Sequence, residues 1–140
     1  FGEIGGQPQL GAEHLGDQAA VKRDPHDGSG RHACTHWTLL ERLGDYALLR
    51  FKLDTGRTHQ IRVHCAHIGH PIVGDPVYSR CRKLPMALPG QALHAVQLGL
   101  DHPISRERLV LQAPLPEVFE KLLRQLRRRA GVDTPPPVCA

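Results

Sequence analysis

The sequence lacks three things that would each have set its class. Its four cysteines, Cys34, Cys65, Cys81 and Cys139, form no Cys-x-x-Cys pair and show no regular spacing. The disulfide framework of a small secreted scaffold is denser than this, so reduced thiols and an intracellular protein are expected. No apolar run approaches the roughly 18 residues that span a bilayer, so no membrane partner is expected. No signal peptide is visible. The first residue is Phe1 rather than Met, which reads as a truncated or processed N-terminus. Cytoplasm, nucleus and mitochondrion are not distinguished by any of this. Metal-protease spacing, His-Glu-x-x-His, is also missing.

What is present is a chain of 140 residues, enough for one domain or a piece of one. The net charge is +4, from 18 basic and 14 acidic side chains. Placement matters more than the total. From Arg50 to Lys83 there are seven Lys or Arg residues against only Asp54 and Asp75. A basic field gathered on one segment suits a polyanion, because phosphate contacts dominate nucleic-acid affinity. A solvated basic surface is the plainer alternative.

The organisation reads as α+β with a mixed, mainly antiparallel sheet. Residues 1–30 hold seven of the fourteen glycines and clusters such as DPHDGSG, and are expected to be loop or poorly ordered. Residues 31–130 form the folded part, and residues 131–140, with DTPPPVCA, a disordered tail. Within the folded part, CTHWTLL (34–40) and YALLRFKL (46–53) alternate as strands around a turn at Leu43-Gly44-Asp45. Leu49, Phe51 and Leu53 share one face. Residues 79–90 read as a basic, proline-broken loop. The run ALHAVQLGL (92–100) reads as one well-buried strand, and Arg108–Gln112 as the next. Pro116 opens a helix whose Phe119, Leu122, Leu123 and Leu126 make an apolar stripe, ending in Arg127, Arg128 and Arg129.

Between the strands lies the block TGRTHQIRVHCAHIGHPIVGDPVY, residues 55–78. Thr58 is the expected N-cap and Gly69 the C-terminal glycine of a short helix. Ile61, Cys65 and Ile68 fall on one side for packing. Arg62 shares another side with Ala66, leaving space beside the guanidinium for a ligand. A charge there must reach water, pair with a carboxylate, or hold a ligand. Arg57 follows Gly56 at the strand-to-helix turn, where exposed N–H groups and a guanidinium suit an anion; a solvated strand end is the other reading. His59, His64, His67 and His70 invite a zinc site, but no carboxylate or cysteine pair completes a ligand set, so no metal is expected. Packing and RNA-facing roles account for them instead. Gly74-Asp75-Pro76 reads as a structural turn.

Taken together, TGRTHQIRVH, GHPIVGDPVY and ALHAVQLGLDHP, in that order and spacing, resemble the C-terminal half of the RluA-type RNA pseudouridine synthase domain. HACTHWTLLERLGDYALLRFKL resembles that family's approach to the block. The resemblance covers about residues 31–115. It implies isomerisation of uridine to pseudouridine in RNA, with the target base flipped into a pocket and with no cofactor or metal. Arg62 matches the basic residue that orients and ionises the family's catalytic aspartate. Leu93 matches an apolar residue of the pocket wall. Arg57, His59, Gln60 and His64 are the accompanying substrate-binding candidates.

One departure is plain. The family's aspartate stands in a His-Arg-Leu-Asp motif that this sequence does not contain, and Arg42-Leu43-Gly44-Asp45 is only an echo with an inserted glycine. The first expectation is therefore a piece of a synthase, inactive alone, whose parent modifies rRNA, tRNA or mRNA. The missing N-terminal half of the domain would be its structural complement. The alternative is a non-catalytic RNA-binding module derived from the same fold. A third reading is a zinc-dependent protein built on the histidines.

Overall fold

The computed structural model describes residues 2–5, 18–23, 32–80 and 84–131. Seven strands and two helices follow in chain order: β1 (Gly2–Gly5), β2 (Gln18–Arg23), β3 (Ala33–Leu43), β4 (Tyr46–Leu53), α1 (Gln60–His67), β5 (Leu93–His94), β6 (Gln97–Asp101), β7 (Arg108–Gln112) and α2 (Glu117–Ala130). The first five strands make one sheet in the order β2-β3-β4-β1-β5, and β6-β7 make a separate ribbon. Every pairing is antiparallel. The fold is thus α+β, as the alternation of strand and helix periods indicates.

The β3-β4 hairpin anchors the sheet. Leu43 pairs with Tyr46 across Gly44-Asp45, so the turn has two residues, and a register shift falls between Leu39 and Glu41. Alternation buries Trp37, Ala47, Leu49 and Phe51 on one face, and Leu43, beyond the register shift, joins the same core. That face receives α2 through Phe119, Leu122, Leu123 and Leu126, joined in the same core by Ile61 and Cys65 of α1 and by Ile72 and Val73. Helix α2 starts after Pro116 and ends at Gly131 in the left-handed region, the asymmetry that proline and glycine impose on helix ends.

Helix α1 begins one residue later than expected. His59, not Thr58, is the N-cap, and its side chain makes no capping bond. The other end fits a Schellman closure: Gly69, at φ 82, donates to the Ala66 carbonyl at 3.1 Å and His70 to the Cys65 carbonyl at 2.9 Å. A left-handed residue there strongly favours glycine, so Gly69 stops the helix as its position suggests.

Two expectations are corrected. Residues 1–30, read as loop, contain β1 and β2, which pair with β4, β5 and β3. Neither has a strong apolar alternation, and neighbouring strands supply the partners that local propensity does not. Second, the single buried strand expected over residues 92–100 is broken after His94 into β5 and β6. Only Ala92 of it is buried, while Leu98 stays 55% exposed.

Two of the C-terminal arginines are held by other parts of the chain. Arg127 forks onto Glu41 of β3, with Nε to Oε1 at 2.9 Å and Nη2 to Oε2 at 2.7 Å. Arg129 donates to the Pro85 carbonyl. The pair with Glu41 clamps α2 to β3, and Arg127 owes its raised pKa first to that hydrogen bond. Residues 132–140 of the expected tail lie outside the described residues.

The β6-β7 ribbon pairs Leu98 with Leu111 and Leu100 with Leu109, so four leucines share one face. Leu98 and Leu111 are more than half exposed. No helix among the described residues is long and apolar enough to cross a membrane.

Candidate active site

Arg62 sits in the middle of α1, only 8% exposed. Its guanidinium meets the Asp75 carboxylate side-on: Nε donates to Oδ2 at 2.8 Å and Nη2 to Oδ1 at 2.9 Å. Asp75 is held ready for it. Its Oδ1 also accepts the N–H groups of Val77 at 2.9 Å and Tyr78 at 3.0 Å, and its own N–H bonds the Ile72 carbonyl. The Arg62 guanidinium is the chief reason that the carboxyl falls to a pKa of about 2 from 3.8, with the two amides adding to it against burial. Asp75 is therefore ionised wherever the chain is folded near neutrality.

The turn that carries Asp75 depends on Gly74. At φ 75, a Cβ on Gly74 would stand 2.6 Å from the Gly90 carbonyl oxygen. Backbone cannot yield there as a side chain can, so the 88–90 loop and the Asp75 turn pack only through glycine. Asp75 is the partner of Arg62 that sequence reasoning passed over. It lies in a tight turn thirteen residues beyond Arg62, and only the three-dimensional register joins them.

Tyr78 closes the group. Its ring lies 5.2 Å from the Arg62 Cζ, a cation–π approach. Its hydroxyl lies 3.2 Å from His59 Nδ1, and the two rings meet edge to face at 5.8 Å. His59 itself is exposed and left-handed, at φ 54 and ψ 24. A non-glycine residue held there stores about 1 kcal/mol or more of strain, which persists only where the surroundings fix it. The chain His59–Tyr78–Arg62–Asp75 thus runs from solvent to a buried ion pair. The space beside Arg62, expected to take a ligand, is occupied on this side by Asp75 and Tyr78.

Asp75 takes Nε and Nη2, which leaves Nη1 of Arg62 outside the fork. The fork keeps one terminal nitrogen for a further acceptor.

Gln60 and His64 face the framework. Gln60, 5% exposed, receives Thr55 Oγ1 at 2.8 Å and the Arg57 N–H at 3.0 Å on its Oε1. Its Nε2 donates to the Cys34 carbonyl at 3.0 Å and to Thr35 Oγ1 at 2.9 Å. His64, 4% exposed, bonds the same Thr35 hydroxyl through Nδ1 at 2.9 Å. Both tie the start of α1 to β3, so they position their neighbours rather than present donors to solvent.

Arg57 is exposed at the turn before α1, with Nε 3.5 Å from the His32 carbonyl. No acidic residue stands in the first turn of α1. Leu93, half-buried in β5, lines an apolar cavity with Leu88, Phe119 and Leu122. The histidines of the central block do not gather as metal ligands: among the described residues, the one set of three donors within reach of each other is Cys34, His36 and Asp54.

Solved structures of pseudouridylate synthase domains share this fold. The human RNA pseudouridylate synthase domain containing 4 superposes with a TM-score of 0.66 at 24% identity, over 90% of this chain and 60% of that one. A family model described as RNA pseudouridylate synthase matches residues 9–67. That match begins well before residue 31, where the resemblance was expected to start.

Curated relatives are closer in sequence. An uncharacterized RNA pseudouridine synthase of Synechocystis is 53% identical over 116 residues, which is 83% of this chain and 36% of the relative. Ribosomal large subunit pseudouridine synthase D of Pseudomonas aeruginosa is 49% identical over 111 residues, 71% of this chain and 35% of that protein. The chain belongs to the RNA pseudouridine synthase family, in its RluA branch. It spans only 36% and 41% of the first two relatives it matches.

Proposed function

We propose that this chain supplies the arginine wall of a uridine-isomerising site in RNA, and that it does not isomerise uridine alone. The observation that carries this reading is Arg62: buried, fixed by Asp75, and with Nη1 outside that fork. A guanidinium already locked by one carboxylate is preorganised to hold a second, and such a partner keeps a catalytic aspartate ionised. Asp75 itself is a poor candidate for the catalytic carboxylate. Its side chain is wholly buried and its Oδ1 accepts two backbone N–H groups as well as the guanidinium. The second carboxylate belongs to the family's His-Arg-Leu-Asp motif, which this sequence lacks.

Arg57 and His59, exposed beside the start of α1, are the substrate-facing residues of this reading, with phosphate at Arg57. Leu93 forms part of the apolar wall. The substrate is an RNA uridine, whether in rRNA, tRNA or mRNA, and the segment bearing the motif is the structural complement that the apolar periphery awaits. A non-catalytic RNA-binding module is the second reading, favoured by the same Asp75: an arginine saturated enough to be structural needs no nucleophile.

The deciding experiment measures pseudouridine formation on uridine-labelled RNA by this chain and by a longer protein that carries His-Arg-Leu-Asp upstream of it. Activity in the longer protein alone supports the proposal. Activity in this chain refutes it. Inactivity of both, with salt-dependent RNA binding kept, establishes the binding module.

A further inference from the structure

A second group of side chains lies at the open end of the β3-β4 hairpin. Cys34 and His36 are two apart on β3 and so point to the same face. Asp54 follows β4 directly, and its N–H bonds the Cys34 carbonyl at 3.2 Å. The Cys34 N–H in turn bonds Thr55 Oγ1 at 2.9 Å. Backbone bonds therefore fix all three residues before their side chains are considered.

Those side chains converge. Cys34 Sγ is 3.5 Å from His36 Nε2, and the same nitrogen is 2.6 Å from Asp54 Oδ2. Cys34 also hydrogen-bonds to Asp54. The ligand atoms of all three lie within 4.8 Å of one another. A Cys-His-Asp nucleophile relay is excluded by this geometry. A relay uses one imidazole nitrogen toward the thiol and the other toward the carboxylate, whereas here both meet Nε2. Three donors of different charge aimed at one point suit a cation between them.

We propose that Cys34, His36 and Asp54 form a divalent metal site, with zinc the best-suited ion. A thiolate, an imidazole and a carboxylate are the donors that zinc takes, and a mixed sulfur, nitrogen and oxygen set disfavours magnesium or calcium. The sulfur is buried, while the His36 and Asp54 side chains are 43% and 50% exposed. The ligand set thus opens to solvent on one side, leaving a fourth position for water or a phosphate oxygen. On binding, the thiol gives its proton to solvent and the carboxylate opens from the imidazole by a small side-chain rotation. The sequence expectation of no metal weighed only the histidines of residues 59–70; Asp54 joins this group through the hairpin, which spacing does not reveal. The site does not depend on the RNA reading.

The test is a cobalt(II) titration of the 140-residue chain under reducing conditions, with Cys81 and Cys139 replaced by serine throughout. One equivalent should saturate a thiolate-to-cobalt charge-transfer band together with strong tetrahedral absorption, and zinc should displace both. Cys34→Ser should abolish the charge-transfer band, while Cys65→Ser should keep it. Asp54→Asn, at an exposed position, should weaken binding by roughly tenfold or more, since even an outer partner of a metal ligand costs that much. Its fold is checked by circular dichroism. Absence of the band, a band indifferent to Cys34→Ser, or wild-type binding by Asp54→Asn would each overturn the site.

Discussion

Replacing Asp75 by asparagine isolates the charge of the buried pair from its shape. The amide keeps an oxygen for the Val77 and Tyr78 N–H groups, so the turn retains its acceptor, but Arg62 is left as a buried cation without a countercharge. The structure sets the magnitude. With the folded carboxyl at a pKa of about 2 against 3.8 for a free one, proton linkage gives roughly 2–3 kcal/mol at neutral pH. Removing one partner of a buried pair typically costs about 3–5 kcal/mol, so the two routes agree on a loss of a few kcal/mol.

The sign follows from the depressed pKa: the stabilisation is complete above about pH 4 and disappears as pH falls through about 2. Urea unfolding followed by Trp37 fluorescence reads it, since Trp37 is the sole tryptophan and lies 6% exposed in the core. At pH 7 the Asp75→Asn midpoint should fall by about 1–2 M urea relative to wild type. At pH 2 the two proteins should approach each other. Equal deficits at both pH values would show that shape rather than charge is at stake, and the argument would fail.

Three further expectations rest on separate contacts. Glu41→Leu or Arg127→Met alone should each cost about 2–4 kcal/mol, whereas the double change should recover most of the loss; simple additivity in a double-mutant cycle would deny the clamp. Gln60→Ala strands the Thr55, Arg57 and Cys34 groups it serves and should lower stability by about 2–4 kcal/mol, checked by thermal unfolding. Arg57→Ala should leave stability unchanged but reduce the salt dependence of RNA binding by a log–log slope of about 0.7–0.9, and an unaltered slope would remove Arg57 from the phosphate contacts.

Local patterns made the hairpin, α1 and α2 legible. The β3-β4 alternation, the Gly44-Asp45 turn, Gly69 and the Phe119–Leu126 stripe each carry their structural instruction within a few residues. Arg62 stood out because a charge inside a short helix flanked by apolar residues needs a partner. The partner was not legible, because Asp75 sits in a turn whose direction depends on Gly74 meeting the Gly90 carbonyl. The Arg127–Glu41 clamp is hidden for the same reason: its halves lie 86 residues apart. Gln60 looks like a ligand contact because it is a polar residue in a basic block, while its four bonds, invisible in the sequence, all turn inward. Strands β1 and β2 left little trace, since strands in such short segments are defined by what they pair with.

The order β2-β3-β4-β1-β5 carries a kinetic consequence. The β3-β4 hairpin closes across two residues, but β1 must return from the start of the sequence to lie between β4 and β5, with Gly2 opposite His94. Loop closure over that distance is entropically costly, so the hairpin forms early and β1 arrives late. Trp37, within the hairpin, should register the early event and remain blind to the late one. Hydrogen exchange at the amides of β1 and β5 is the observable that reports when the sheet is whole.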